Sequence, residues 1–276
     1  GKESVEYLCG EYLEKYAKLH KKSWQEDERR IQKVVIPLLG NRKVQQASRS
    51  EIQALHQRIG KKAPYEANRI LALLSKIFDM AVRWGMLSED HPNPARRIEK
   101  YREKKRDRWV TPAELPRLAK AIDQEINVYV RSALWLFLLT GVRKNELLRL
   151  KWEDVDFDLK QIRLGETKSG RIHYVPLSAP ALEILTSLPR VEGNPYVFPG
   201  ARRGCSLVNI NKNWSRVRET AGLSDVRLHD LRRTVGSWLA QQGHSLLLIG
   251  KVLNHADPQT TAVYAHLAND PIQEAM

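Results

Sequence analysis

Eight of the nine residues in KYREKKRDR, positions 100–108, are charged. No hydrophobic core accepts such a run, because each buried charge would need its own partner and hydrogen bonds. The segment is expected to be an exposed linker, and it cuts the 276-residue chain in two. The boundaries that follow are residues 1–99 for a first domain, 100–109 for a basic linker and 110–276 for a second domain with a C-terminal tail. Each part has the apolar residues to build a core, since 42% of the chain is hydrophobic.

The first domain reads as helices throughout. Val5, Leu8, Tyr12, Leu13, Tyr16 and Leu19 recur at helical spacing up to His20. A second helix starts after Ser23, a plausible N-cap, and stops at Pro37 and Gly40; a third runs from about Ser50 to Ile59 and closes at Gly60. The fourth and longest has Pro64 in its first turn, carries Ile70, Leu73, Leu74, Ile77, Phe78, Ala81 and Val82, and ends at Gly85.

In the second domain Thr111 opens a helix as N-cap, with Pro112 at its first position. The run SALWLFLLTG at 132–141 is apolar on every side, so its helix belongs at the domain's centre. VDFD, QIRL and IHYVPL have the alternating or β-branched character of strands, and KSG at 168–170 supplies a turn between two of them. Helical spacing returns from about Ser178 and, after a loop, continues to the end. The fold expected is mainly α with a small antiparallel β-sheet.

Lys and Arg outnumber Asp and Glu by 46 to 32, a formal net charge of +14 that favours a polyanionic partner, nucleic acid before an acidic membrane surface. The basic residues are spread rather than gathered on one amphipathic helix, which disfavours the membrane. No stretch approaches the roughly 18 apolar residues of a membrane span, and GKESVEYL is not a signal peptide. Cys9 and Cys205 lie far apart without neighbouring metal-ligand spacing, so they are expected to be reduced packing residues in a cytoplasmic protein. The leading Gly in place of Met suggests that a further N-terminal segment is missing.

Within this basic chain, Arg143, Lys168, the His229-x-x-Arg232 pair, His255 and Tyr264 occur in that order. A phosphate diester repels nucleophiles by its own charge. Breaking one requires neutralised nonbridging oxygens, a nucleophile and a proton for the departing oxygen. Arg143, in TGVRKNELLRL, can grip two oxygens with its planar fork, and Glu146 one turn on can hold it in place; a surface Arg paired with Glu146 or Glu153 is the plain alternative. Lys168 at a turn tip is either simply solvated or a general acid on a flexible stem. His229 and Arg232 share a helix face and suit one phosphate, although Asp230 beside them would also suit an ordinary helix N-terminus. Tyr264 is a core or surface tyrosine unless neighbouring cations activate its phenol. Arg233 is expected to point elsewhere, His266 to face away from Tyr264, and Tyr174 to play no part.

The series TGVRKNELLRL, TKSGRIHYVPL, LHDLRRT, LNH and TTAVYAHL resembles the catalytic domain of the tyrosine recombinase (phage integrase) family. Upstream, KSWQEDERRIQKVVIPLLGNRKV and ANRILALLSKIFDMAVRWGML resemble the helical core-binding domain of bacterial prophage and genomic-island integrases. Where many members carry Gly before the last His, this chain has Asn254.

The resemblance implies a helical core-binding domain followed by an α+β tyrosine-recombinase catalytic domain. It implies that Arg143, Lys168, His229, Arg232 and His255 activate the phosphate and that Tyr264 attacks it, forming a 3′-phosphotyrosine without cofactor, metal or ATP. Integration or excision of a mobile element follows by transesterification. The implied partners are double-stranded DNA, a homotetramer assembled on it, and accessory DNA-bending or directionality proteins, with no membrane and with a place at the bacterial nucleoid. The two domains would clamp duplex DNA. Lys104, Lys105 and Arg106 would track phosphates along the linker, Arg171 would compete for phosphate beyond the turn, and Asn68, Arg69 and Lys76 would form the DNA-facing side of the long helix. No arm-binding domain is visible. A type IB topoisomerase-like relaxing enzyme and a non-catalytic DNA-binding protein on the same fold are the alternatives.

Overall fold

A computed structural model describes residues 3–104, 106–165 and 172–267. The chain divides into two compact units, Gly1–Lys105 and Arg106–Met276.

The first unit is helical. α1 (Val5–Tyr12), capped by the Ser4 hydroxyl, passes through a π turn at Leu13–Ala17 into α2 (Lys18–His20). α3 (Trp24–Arg30) passes through a second π turn, Ile31–Val35, into α4 (Ile36–Leu39). The sequence pattern ends this helix at Pro37, and the structure carries it past. The π turn adds a residue to the ladder just ahead of Pro37, which then stands in the first turn of the next segment, where a missing N–H is tolerated. Ser23 precedes α3 without lending its hydroxyl to the helix.

α5 (Arg49–Gly60) is capped by Ser48, not Ser50. Ser48 has Glu51 three residues on, and the two close a reciprocal capping box: Glu51 N–H donates to Ser48 Oγ at 3.3 Å and Ser48 N–H to the Glu51 carboxylate at 3.0 Å. α6 (Pro64–Arg83) presents Ile70, Leu74, Ile77 and Phe78 to a core shared with Leu8, Tyr12, Ile31 and Ile52. Each such side chain contributes about 1.5–3 kcal/mol by leaving water. Buried Asp27 is satisfied by the Tyr12 hydroxyl at 2.9 Å and by Lys21.

Residues 101–103 are not a free linker. The Asn68 carboxamide donates to the Tyr101 carbonyl at 2.8 Å and to Glu103 at 3.0 Å, and accepts from the Tyr101 N–H at 3.0 Å. Tyr101 stacks on His56 with ring centroids 4.8 Å apart, over Gly60, where an added Cβ would lie 2.1 Å from the tyrosine ring. Asn68 is therefore 4% exposed, inside the unit and not on the outward face expected for it. An amide that mimics a strand partner satisfies the segment's backbone, a use that helical spacing does not reveal.

In the second unit Thr111 makes a turn with Glu114, and α7 (Leu115–Asp123) starts three residues later than its pattern suggests. Pro116 has no N–H for the ladder and so must sit in the first turn. α8 (Val128–Thr140) is the buried central helix. It ends at Gly141, whose φ of 65° and close approach to Leu253, 2.8 Å from an added Cβ, exclude a side chain. α9 (Lys144–Leu148) follows. Then β1 (Val155–Asp156), β2 (Gln161–Leu164) and β3 (His173–Pro176) form an antiparallel sheet in that order, with Ile162 between Val155 and Val175.

α10 (Ala179–Ser187), α11 (Asn211–Thr220), α12 (Leu228–Gln241), α13 (Leu246–Val252) and α14 (Pro258–Thr261) complete the unit, the last running into a 3₁₀ segment, Ala262–Leu267. Arg106 and Arg108 anchor the start of this unit on Asp230, at 2.7 Å, and on Glu114, at 2.8 Å. Cys9 is buried, its thiol pushed up to about 12 by desolvation, whereas Cys205 is exposed on a loop and packs nothing as a core residue would. Among the described residues no helix is long and apolar enough to cross a membrane.

Candidate functional site

The site is built where α8, α12 and α13 end or begin around two adjacent carbonyls. Arg143, the residue before α9, donates from Nη2 to the Asn254 carbonyl at 2.9 Å and from Nη1 to Glu146 at 3.0 Å. Arg232, on the first turns of α12, donates from Nη1 to the Gly141 carbonyl at 2.5 Å and from Nη2 to the Leu253 carbonyl. Two guanidinium groups therefore hang on consecutive residues, and His255 is the next. Asn254 holds this turn with φ of 49°, a left-handed conformation that glycine adopts freely and asparagine tolerates. That is the physical reason an Asn stands where the family resemblance leads one to expect Gly.

Electrostatics follow from this crowding. Arg232 is 7% exposed, and burial with Arg143 beside it holds its guanidinium down at about 10. Burial, then Arg232, Arg143 and His229, push His255 down to about 4. His229 keeps an accessible face, but the atoms packed around its ring, with Arg232, Arg233 and Arg143, hold it below the ordinary imidazole value. Both histidines are neutral at pH 7, while Arg232, held at about 10, keeps its charge.

Tyr264 lies in the 3₁₀ segment, 5% exposed, with the hydroxyl end of its ring packed against Gly236 of α12. A Cβ at Gly236 would lie 2.4 Å from the tyrosine Cζ and 2.8 Å from its hydroxyl. Gly236 is one helical turn beyond Arg232, and the cations that act on the phenol are Arg233 and Arg232. Burial raises its pKa, and Arg233 and Arg232 pull against that rise.

Of the sequence candidates, the structure gathers Arg143, Glu146, His229, Arg232, His255 and Tyr264. Lys168, Arg171 and Lys105 lie outside the described residues. Arg69 is tied to Glu103 at 3.2 Å, Lys76 lies 4.6 Å over the Tyr16 ring, and Arg106 is spent on Asp230; Lys104 is exposed. Arg233 does not point away: it influences Tyr264 directly and reaches Asp107 at 3.8 Å. His266 pairs with the same Asp107 at 3.1 Å. Tyr174 is 52% exposed.

One residue escaped the sequence reading. His173 on β3 feels Glu146, Arg232 and Arg143, and hydrogen bonds to the Val252 backbone, while burial depresses its pKa. Strand alternation was the available signal, because His173 shares the inward face with buried Val175 and Tyr174 takes the outward one. His173, His255 and Pro258 line one side of an apolar groove of about 900 Å³ completed by Tyr174, Leu246 and Leu247. Among the described residues no cluster of His, Cys, Asp and Glu could hold a metal ion.

Two family models match the chain: one described as phage integrase family over residues 108–270, and one described as phage integrase central domain over residues 6–98. The prophage integrase IntZ of Escherichia coli K12 is 29% identical over 197 residues, covering 69% of this chain and 46% of that protein. The chain spans about half the length of the curated relatives it matches first. Among solved structures, the Tn1549 transposon integrase in complex with circular intermediate DNA superposes with a TM-score of 0.80 at 16% identity, covering 99% of this chain and 98% of that one. A lambda integrase tetramer bound to a Holliday junction gives 0.74 at 18%, covering 92% and 78%. At these identities the structures speak for the fold.

Proposed function

Since the chain belongs to the phage integrase family, we propose that it is a site-specific recombinase that cuts and rejoins double-stranded DNA through a 3′-phosphotyrosine on Tyr264. The observation that carries this reading is the pair of guanidinium groups fixed on the adjacent carbonyls of Leu253 and Asn254, with His255 beside them and the Tyr264 phenol packed one turn along α12. Such a cradle is prearranged for a phosphate in which negative charge grows during attack.

In the proposed reaction Arg143 and Arg232 neutralise the nonbridging oxygens and His255 donates to one of them. Tyr264 Oη attacks phosphorus, the Tyr–O–P bond forms and the bond to the 5′ oxygen breaks. Neutral His229 accepts the phenolic proton, and Lys168 protonates the departing oxygen. The freed 5′ hydroxyl of one duplex then attacks the phosphotyrosine of another. The ester conserves the bond energy, so no cofactor, metal or ATP enters.

The division of labour follows the sequence: residues 1–99 bind the core of the DNA site, 100–109 link, and 110–276 cleave and carry the tail. Exposed Lys104 is the linker residue best placed for a phosphate, and Lys105 and Arg171 are assigned the same role from sequence. Four active sites are needed to exchange two duplexes, so a homotetramer forms on DNA in the cytoplasm, with accessory bending or directionality proteins setting the outcome. The tail HLANDPIQEAM, most of which lies outside the described residues, is assigned from sequence to packing on a neighbouring copy.

The test is a nicked suicide duplex in EDTA. A covalent adduct on the 3′ side is expected with the parent chain, and none with Tyr264→Phe, which still binds. Adduct formation by that variant refutes the assignment. Strand transfer between paired sites, rather than relaxation of supercoils, separates recombination from topoisomerase chemistry.

A further inference from the structure

His255 is neutral under working conditions, since it is held at about 4. A neutral imidazole has one N–H and one lone pair. If the hydrogen sits on Nδ1, the Nε2 atom presents a lone pair and repels a phosphate oxygen; if it sits on Nε2, the ring donates. Something must choose between the two.

The Thr261 hydroxyl lies 2.8 Å from His255 Nδ1. Thr261 is 3% exposed, and Gly250 opposite it leaves the space, since a Cβ there would sit 3.0 Å from Thr261 Oγ1. Among the described residues the ring nitrogen is the only hydrogen-bond partner of that hydroxyl. A buried O–H needs an acceptor. If Nδ1 carried the hydrogen and donated to Thr261, the hydroxyl's own hydrogen would be stranded in a water-poor site. With the hydroxyl as donor and Nδ1 as acceptor, both groups are satisfied.

We propose that Thr261 is a positioning residue: its hydroxyl donates to Nδ1 of His255 and so holds the neutral ring as the Nε2–H tautomer, ready to donate to a nonbridging phosphate oxygen. The tautomer assignment stands on the hydrogen bond alone; its catalytic consequence rests on the recombinase reading above. Thr261 ends α14, three residues before Tyr264 in the 3₁₀ segment that continues it, so one hydroxyl also ties the start of the nucleophile's segment to the donor ring.

The experiment pairs nitrogen and carbon NMR of isotopically labelled histidine with single-turnover cleavage of the suicide duplex. The His255 signals are identified by their loss in His255→Gln. The parent chain should show the Nε2–H signature. Thr261→Val, which keeps the shape and loses the hydroxyl, should give a tautomer mixture and on the order of tenfold slower cleavage or worse with DNA affinity unchanged, the scale of one misaligned donor. Thr261→Ser should return the Nε2–H signature and recover most of the lost rate. An Nδ1–H signature in the parent chain, which needs no variant and no activity, overturns the proposal. So does an unchanged tautomer and rate in Thr261→Val. A parent chain that shows Nε2–H but forms no adduct leaves the tautomer assignment standing and fails the recombinase reading instead.

Discussion

Gly236→Ala places one methyl group under the proposed nucleophile. Its carbon would sit 2.4 Å from Cζ, 2.7 Å from Cε1 and 2.8 Å from the hydroxyl of Tyr264, against an ordinary contact of about 3.4–4 Å. The ring must therefore withdraw by about 1 Å or more. The ring gives way before the helix, because it rides on a short 3₁₀ segment, whereas α12 is locked at Arg106–Asp230 and Val110–Thr234. Alanine is also the better helix former by about 1 kcal/mol, so α12 itself gains. A misplacement of this size costs on the order of a hundredfold in an aligned displacement. Single-turnover adduct formation on the suicide duplex should fall by about that factor, with DNA affinity and the melting temperature little changed. A rate equal to the parent's, or faster, would show that the seat against Gly236 is not the position from which Tyr264 reacts.

Arg232→Lys keeps a charge but loses the fork that spans the Gly141 and Leu253 carbonyls; cleavage should drop by about a hundredfold or more while binding persists, and a near-normal rate in a cleavage assay would remove Arg232 from the cradle. Folding stability should fall on acidification. His255 is depressed to about 4 from an ordinary 6.5, so between those values the unfolded chain binds more protons, and the stability present above pH 6.5 is lost as the pH drops toward 4. The loss is at most about 3 kcal/mol and smaller once solvent at the half-buried ring is counted. Urea titrations across that range should show the slope shrink in His255→Gln, and an unchanged slope would contradict the assignment. Asn68→Ala should destabilise the first unit by about 1–3 kcal/mol, because Tyr101 and His56 lose their partner. If denaturation is unaltered and only DNA affinity falls, Asn68 is a DNA contact after all.

The parts of the site that could be read from sequence are those whose chemistry is local. His229 and Arg232 share a helix face by spacing, Arg143 and Glu146 are a turn apart, and the all-apolar run before Gly141 announces a buried helix that must end abruptly. The residues that escaped are fixed by contacts distant in sequence. Asn68 has the spacing of an outward polar residue, but Tyr101 returns to cover it. Arg233 reads as pointing away from the site until the fold brings Tyr264 and Asp107 to it. Thr261 is an unremarked hydroxyl until α13 brings His255 against it. The π turns were invisible because the apolar spacing of Val5–His20 tolerates one extra residue per turn without exposing Tyr12 or Leu13.

The most direct test of the Tyr264 assignment is to trap the parent chain on the suicide duplex in EDTA, digest both protein and DNA, and locate the surviving nucleotide by mass spectrometry. The expected peptide carries a 3′-linked phosphate on Tyr264. A phosphate on Tyr174 or any other side chain, a 5′ linkage, or an adduct that requires a divalent metal would contradict it.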